Sequence, residues 1–202
     1  MSTGGGELSL SASAIVAPAV SGSHVLRIDG YSLTKGLGNG KYIASEAFAV
    51  GGHRWRLLYY PDSLDPNDSD WISVMLHCDH VAGGLDDVKA KFTMSLLDQD
   101  GNPVPSYSKT SQLCSFSGSQ SARLATGYEL IKRSKLEGSV YLKDDRFSVR
   151  CDVTVAKEMF TKAIPVADRR KRLTISPTMS SLILVLACVH FLSVIVVVLS
   201  GQ

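Results

Sequence analysis

The sequence has little excess charge and few cysteines. Its 21 lysine and arginine residues against 19 aspartate and glutamate residues leave a net charge of +2, which is too small to indicate nucleic acid as the main partner. The four cysteines, Cys78, Cys114, Cys151 and Cys188, stand far apart and form no CxxC pair. We therefore expect reduced, buried thiols and an intracellular location rather than a disulfide framework.

The sequence also lacks a recognisable catalytic or metal-binding arrangement. Serine, histidine and aspartate are present, but no GxSxG elbow positions them for catalysis. The glycine-rich stretch 35–40, KGLGNG, lacks the GK[ST] ending of a phosphate-binding loop, which indicates a flexible turn. The one metal-like cluster is HCDH at 77–80, whose neighbours would face opposite sides of a strand. We expect no enzymatic activity, no cofactor and no metal.

The sequence does contain stretches in which apolar and polar residues alternate with a period of two. The stretch from Gly51 to Cys78 predicts two aromatic-rich strands joined by a polar turn segment. Stretches 24–29, 89–97 and 147–155 alternate in the same way. Turn signals separate about eight such strands and no long amphipathic helix is present, a pattern typical of an antiparallel β-sandwich.

Four blocks of sequence resemble the MATH domain and follow in that family's order. They are SHVLRIDGYS, FAVGGHRWRLLYYPDSLDPNDSDWISVML, VKAKFTMSLLD and GYELIKRSKLEGSVYLKDDRFSVRCDVTV, which together extend over about residues 23–156. The resemblance is closest to the plant MATH-BTB (BTB/POZ-MATH) proteins. It implies an all-β fold, an eight-stranded antiparallel TRAF-like (MATH) sandwich, and no catalytic activity.

The resemblance also implies a peptide-binding site. In this family one face of the sandwich binds short extended Ser/Thr-rich segments of partner proteins, by strand addition. Trp71, Gly127 and Tyr128 are the site residues that transfer to this sequence. The family has a tryptophan where this chain has Thr126 and an aromatic residue where it has Met75, which removes contact area that aromatic anchors supply. Core packing or a plug at the edge of the sheet is the alternative role for Trp71.

Partners are expected on the same basis. In the relatives a BTB domain follows and recruits a cullin-RING ubiquitin ligase, but no stretch after residue 160 resembles BTB. One hypothesis is a non-enzymatic protein-binding module. The second is a substrate-recognition component linked to cullin indirectly, through MATH-BTB partners. A third is a degenerate domain without a ligand.

The C-terminal part carries a different signal. Residues 182–199 form an uncharged apolar run of 18 positions, in which His190 and Ser193 are the only polar residues. As a helix this run would rise about 27 Å, which predicts a single transmembrane helix. The basic cluster at 169–172 precedes this run, and the positive-inside rule then predicts a membrane tail anchor with the domain facing the cytoplasm. A nuclear-localisation signal and an unselected tail from gene truncation are the alternatives, with cytoplasm or nucleus as the location.

The predicted organisation therefore has four parts. A flexible N-terminal arm covers 1–22, which has no basic residue and too little apolar content for a signal peptide. The MATH domain covers 23–157, a basic linker 158–181 and the transmembrane tail 182–199.

Overall fold

The computed structural model describes residues 10–65, 70–79, 87–116 and 125–166, which form twelve strands and two short helices. The strands are β1 (Ser13–Val16), β2 (Ala19–Asp29), β3 (Ile43–Ala44), β4 (Phe48–Val50), β5 (His53–Tyr60), β6 (Trp71–Asp79), β7 (Val88–Leu97), β8 (Pro103–Thr110), β9 (Cys114–Phe116), β10 (Ala125–Lys132), β11 (Arg146–Ala156) and β12 (Phe160–Ala163). The helices are α1 (Tyr31–Thr34) and α2 (Arg133–Glu137).

The chain divides into two units, residues 15–161 and the two chain ends, 1–14 with 162–202. In the first unit ten strands form two five-stranded antiparallel sheets. One sheet has the order β10-β6-β5-β3, with β4 also on β5. The other has the order β2-β11-β7-β8, with β9 also on β7. β1 and β12 form a separate two-stranded sheet.

The core lies between the two five-stranded sheets, because each sheet buries alternate side chains. On β5 these are Trp55 and Leu57, and on β11 Val149 and Cys151, all fully buried in one cluster. The Trp55 ring meets the Phe116 ring edge-on, with centroids 5.0 Å apart. The predicted all-β antiparallel sandwich is therefore confirmed. The structure has more strands than the predicted eight. Among them β3, β4 and β9 are only two or three residues long, which is too short for alternation to reveal them in the sequence.

Two cysteines serve this core as buried, unreactive thiols. Burial raises the pKa of the Cys78 thiol to about 11 and that of the Cys151 thiol to about 12. Nearby aspartates raise both pKa values further, because a negative charge disfavours the thiolate. Both thiols therefore stay protonated near neutral pH, the less nucleophilic form of cysteine.

The glycine-rich stretch 35–40 wraps a carboxylate of the chain itself. The backbone N–H groups of Gly36 and Gly38 donate to the two carboxylate oxygens of Asp62, at 3.2 and 2.8 Å. Arg133 donates to the same carboxylate at 2.7 Å, and the Asp62 side chain is only 7% exposed. The predicted flexible turn is thus a cradle for an internal anion, and Asn39 adds a hydrogen bond to the Asp62 carbonyl.

The prediction of a C-terminal transmembrane helix is wrong and is corrected here. A membrane-spanning helix needs about 20 apolar residues, whereas α1 has 4 residues and α2 has 5. In the ranges that the structure describes, no helix is long and apolar enough to cross a bilayer. Residues 182–199 themselves lie outside those ranges. The prediction used the hydropathy and length of the apolar run, whereas spanning also requires a continuous helix, and the described residues contain none of sufficient length.

The predicted part boundaries stay a prediction. β2 begins at Ala19, inside the stretch 1–22 assigned to an arm, and β12 lies inside the stretch 158–181 assigned to a linker. The basic cluster at 169–172, Cys188 and His80 lie outside the described residues. Among the residues that are described, no group of three or more His, Cys, Asp or Glu side chains could hold a metal ion.

Candidate peptide-binding site

The candidate site lies along β10, the outermost strand of the sheet β10-β6-β5-β3. Within the described residues β10 pairs with β6 and with no other strand. Its other side therefore has backbone hydrogen-bonding groups without a neighbouring strand. The Glu129 carbonyl accepts a hydrogen bond from Lys109 of the other sheet, from which we infer that it points away from β6. Since these groups alternate in direction along a strand, those of Gly127 are expected to point the same way.

Gly127 is required by the close approach of β10 to β6. It lies opposite Met75 in the register. A Cβ atom at Gly127 would lie 2.1 Å from the Val74 carbonyl oxygen and 2.5 Å from the Met75 Cα. Both neighbours are backbone atoms, so no side chain fits between the strands. The predicted site residue Gly127 thus sets the spacing of the two strands and offers a ligand only its backbone.

Trp71 opens β6 on the face of the sheet that is turned away from the core. It is half-buried and lies outside the core cluster, unlike the next residue, Ile72. In the register Trp71 is opposite Lys132, whose ammonium nitrogen lies 5.3 Å from the centroid of the indole ring. This placement favours the surface role over core packing. Met75 is on the same face of β6 and is also half-buried.

Tyr128 lies between the core and the surface. It is opposite Val74, so its side chain leaves β10 on the core-facing side. Its ring packs on Phe92, with centroids 5.8 Å apart, and burial raises the pKa of its hydroxyl. Thr126 shares that side, opposite Leu76. The register therefore places Tyr128 and Trp71 on different faces of the sheet.

Lys109 links the two predicted aromatic residues across the open edge of β10. It belongs to β8 of the other sheet, and its ammonium donates to the Glu129 carbonyl at 2.7 Å. The same nitrogen lies 5.8 Å from the ring centroid of Trp71 and 5.8 Å from that of Tyr128. These are distances at which a cation is attracted to an aromatic face. Lys109 thus lies near Trp71, Tyr128 and the edge of β10 at once, and a binding site formed by them stays a prediction.

The comparison with known families agrees with this architecture. Residues 23–153 match the sequence profile of the MATH domain. The chain belongs to the MATH-domain family. The predicted resemblance is thereby confirmed, and the two five-stranded sheets are the sandwich of this MATH domain.

The relatives of this MATH domain include larger proteins. BTB/POZ and MATH domain-containing protein 4 and BTB/POZ and MATH domain-containing protein 5, both from Arabidopsis thaliana, are each 39% identical to it, over 145 and 158 residues. The matches cover 69% and 73% of this chain but 30% and 37% of those proteins. The chain thus spans about a third of the length of the curated relatives that it matches. A solved structure of Notothenia coriiceps TRAF5 aligns with a TM-score of 0.45 and 16% identity, over 76% of this chain and 77% of that one.

The sequence alone did not point to Lys109 as part of this MATH domain's site. Lys109 stands in a serine-rich stretch without strong periodicity, and its partners follow 20 residues later or precede it by more than 30. Only the packing of β8 beside β10 brings it to Trp71 and Glu129. No local pattern encodes such a contact between two sheets.

The start of β6 is held in place next to the site. The backbone N–H of Arg133 donates to the Asp70 carbonyl at 2.6 Å, and the Ser134 hydroxyl donates to the Asp70 carboxylate at 2.9 Å. Arg133 also forms the ion pair with Asp62, so one side chain connects the glycine cradle to the residue before Trp71. The indole therefore projects from a fixed strand end.

Proposed function

We propose that this MATH domain is a non-enzymatic module that binds a short extended segment of another protein along β10. The observation that carries the proposal is the terminal position of β10 in its sheet, with the outward carbonyl of Glu129 beside two half-buried aromatic rings. A ligand strand would pair with the backbone groups of Gly127, next to the Glu129 carbonyl that Lys109 occupies. Strand addition of this kind draws affinity from the backbone and specificity from flanking side chains.

The flanking side chains suit alternate residues of an extended ligand. Trp71 and Met75 line the outer face of the edge, and Tyr128 lines the side towards the core. A ligand strand presents successive side chains to these two sides. Ser/Thr-rich segments are the proposed ligands, on the resemblance to the family. Thr126 and Met75 offer less area than aromatic residues, so we expect affinity in the micromolar range or weaker, about −8 kcal/mol or less favourable.

The test is binding of the purified full-length chain to a library of Ser/Thr-rich peptides, measured by fluorescence anisotropy. Trp71→Ala and Tyr128→Ala should each weaken binding by about tenfold or more, because truncating an aromatic anchor typically costs more than 1 kcal/mol. The matched control is Tyr42→Ala, which truncates a 52% exposed ring next to β3 at the opposite end of the sheet. This control should bind like the wild type.

The outcomes separate clearly. Saturable binding that both site variants lose and the control keeps would support the proposal. Absence of binding up to millimolar peptide, with a cooperative unfolding transition showing that the domain is folded, would refute it. Equal losses in all three variants would also count against a site at β10.

A second candidate function is favoured by the 39% identity to two BTB/POZ and MATH domain-containing proteins. In this role the chain would supply substrate recognition to a cullin-RING ubiquitin ligase by associating with MATH-BTB relatives. Pull-down of purified cullin by this chain should then require an added MATH-BTB protein. Peptide binding without such recruitment would leave the first function alone.

A further inference from the structure

We infer that the segment bound at β10 carries an aspartate or glutamate side chain whose carboxylate binds the Lys109 ammonium. This inference rests on the proposed function, because it assigns a chemical property to the ligand of the same site. It makes Lys109 a specificity-determining residue. The sequence resemblance assigns no role to this lysine.

The first argument is the incomplete set of partners around the Lys109 ammonium. An ammonium has three N–H donors, and one of them is used by the Glu129 carbonyl at 2.7 Å. The ring centroids of Trp71 and Tyr128 each lie 5.8 Å from this nitrogen. Lys109 forms no ion pair with any residue that the structure describes. The positive charge is thus held in place by neutral groups.

The second argument is the position of this charge along the edge. The ammonium lies on the Glu129 carbonyl, two residues along β10 from the Gly127 backbone groups that a ligand strand would use. A ligand paired with β10 must therefore pass beside Lys109. An ordered cation at that point favours a carboxylate, because a charge-assisted hydrogen bond is roughly twice as strong as a neutral one.

The third argument concerns the other charges near the edge. The ammonium nitrogen of Lys132 lies 5.3 Å from the same indole centroid. The one carboxylate on β10 is that of Glu129, which is exposed and makes no ion pair with a described residue. The exposed Glu129 side chain therefore does not neutralise Lys109 through an ion pair, and a ligand carboxylate would supply that partner.

The experiment uses the full-length chain and fluorescent decapeptides made of serine, threonine, alanine and valine. One position at a time carries aspartate, and a second series carries asparagine at the same position, which keeps the shape and removes the charge. At one position the aspartate peptide should bind about tenfold more tightly than its asparagine match. The advantage should shrink as sodium chloride is raised, because the pair is partly exposed.

Variants of the protein assign this advantage to Lys109. Lys109→Met should abolish it and Lys109→Arg should keep it, whereas Lys91→Met removes an exposed lysine from β7, opposite Thr154, and should have no effect. Thermal unfolding of each variant shows that it is folded. A third peptide series carries phosphoserine, which presents a dianion instead of a carboxylate.

Several results would overturn the inference. Equal affinities for the aspartate and asparagine series would do so, as would an advantage that persists in Lys109→Met or one seen for phosphoserine alone. If both neutral and acidic peptides bind equally and Trp71→Ala abolishes both, the inference fails while the proposed function stands. If no series binds to the folded chain, both fail.

Discussion

Replacing Gly127 by alanine tests the central geometric claim about the β10 edge. The new Cβ would lie 2.1 Å from the Val74 carbonyl oxygen and 2.5 Å from the Met75 Cα, whereas ordinary contacts begin near 3.4 Å. Both neighbours are main-chain atoms of β6, so no rotamer change relieves the overlap. The strands must move apart by about 1 Å, which weakens their hydrogen bonds.

The expected cost can be set from known overpacking effects. Extra methyl groups in a packed core typically cost 1–3 kcal/mol, and rigid backbone neighbours place Gly127→Ala at the top of that range, at about 3 kcal/mol. For a chain of this size we expect the melting temperature to fall by roughly 6–12 °C. Peptide binding should weaken as well, because β10 supplies the backbone for the ligand.

The assay is urea and thermal unfolding followed by circular dichroism, with Gly138→Ala as the matched control. At Gly138 an added Cβ meets nothing closer than 3.6 Å, and the φ angle of −92° suits alanine. That variant should therefore lie within about 1 kcal/mol of the wild type. A Gly127→Ala protein that is equally stable would refute the close approach of β10 and β6.

Two further predictions concern buried polar atoms and thiols. Ser73 has a buried hydroxyl without a hydrogen-bond partner in the described part of the chain, whereas the Ser111 hydroxyl accepts from the Phe92 N–H at 2.9 Å. Ser73→Ala should be neutral or slightly stabilising and Ser111→Ala should cost about 1–3 kcal/mol, so equal effects in urea unfolding would contradict this account. Separately, burial raises the pKa of Cys151 from an ordinary 9.0 to about 12, so the folded state keeps a proton that the unfolded state releases. Its contribution to stability should be fully present below pH 9 and lost as the pH rises from 9 towards 12, and denaturation curves that stay superimposable over that window would argue against it.

The sequence was most informative where structure is local. Alternation predicted the core-facing side of β5, where Trp55, Leu57 and Tyr59 lie two residues apart, but not the burial of Leu58 and Tyr60 on its other side. The resemblance to the family singled out Gly127, but the reason for a glycine appeared only with the register that sets Met75 opposite it. Likewise, only that register shows that Thr126 and Met75 lie on different faces of the sheet.

Contacts between distant parts of the chain were beyond such patterns. The cradle of Gly36 and Gly38 around Asp62 depends on residues more than 20 positions apart. Lys109 reaches Glu129 only because the two sheets pack face to face, which brings β8 of one sheet near β10 of the other. The membrane-spanning helix was predicted from hydropathy alone, which reports the tendency to enter lipid and says nothing about the helix that must form.

The contacts of the Asp62 carboxylate also limit which substitutions are tolerated at this position. Its two glycine donors and the Arg133 guanidinium converge on one charge, so a neutral residue at position 62 would leave a cation and two amide groups without their shared acceptor. We expect chains of this family that lose the acid at this position to lose the arginine as well. Positions 62 and 133 should therefore vary together, with both residues substituted in the same chain rather than one alone.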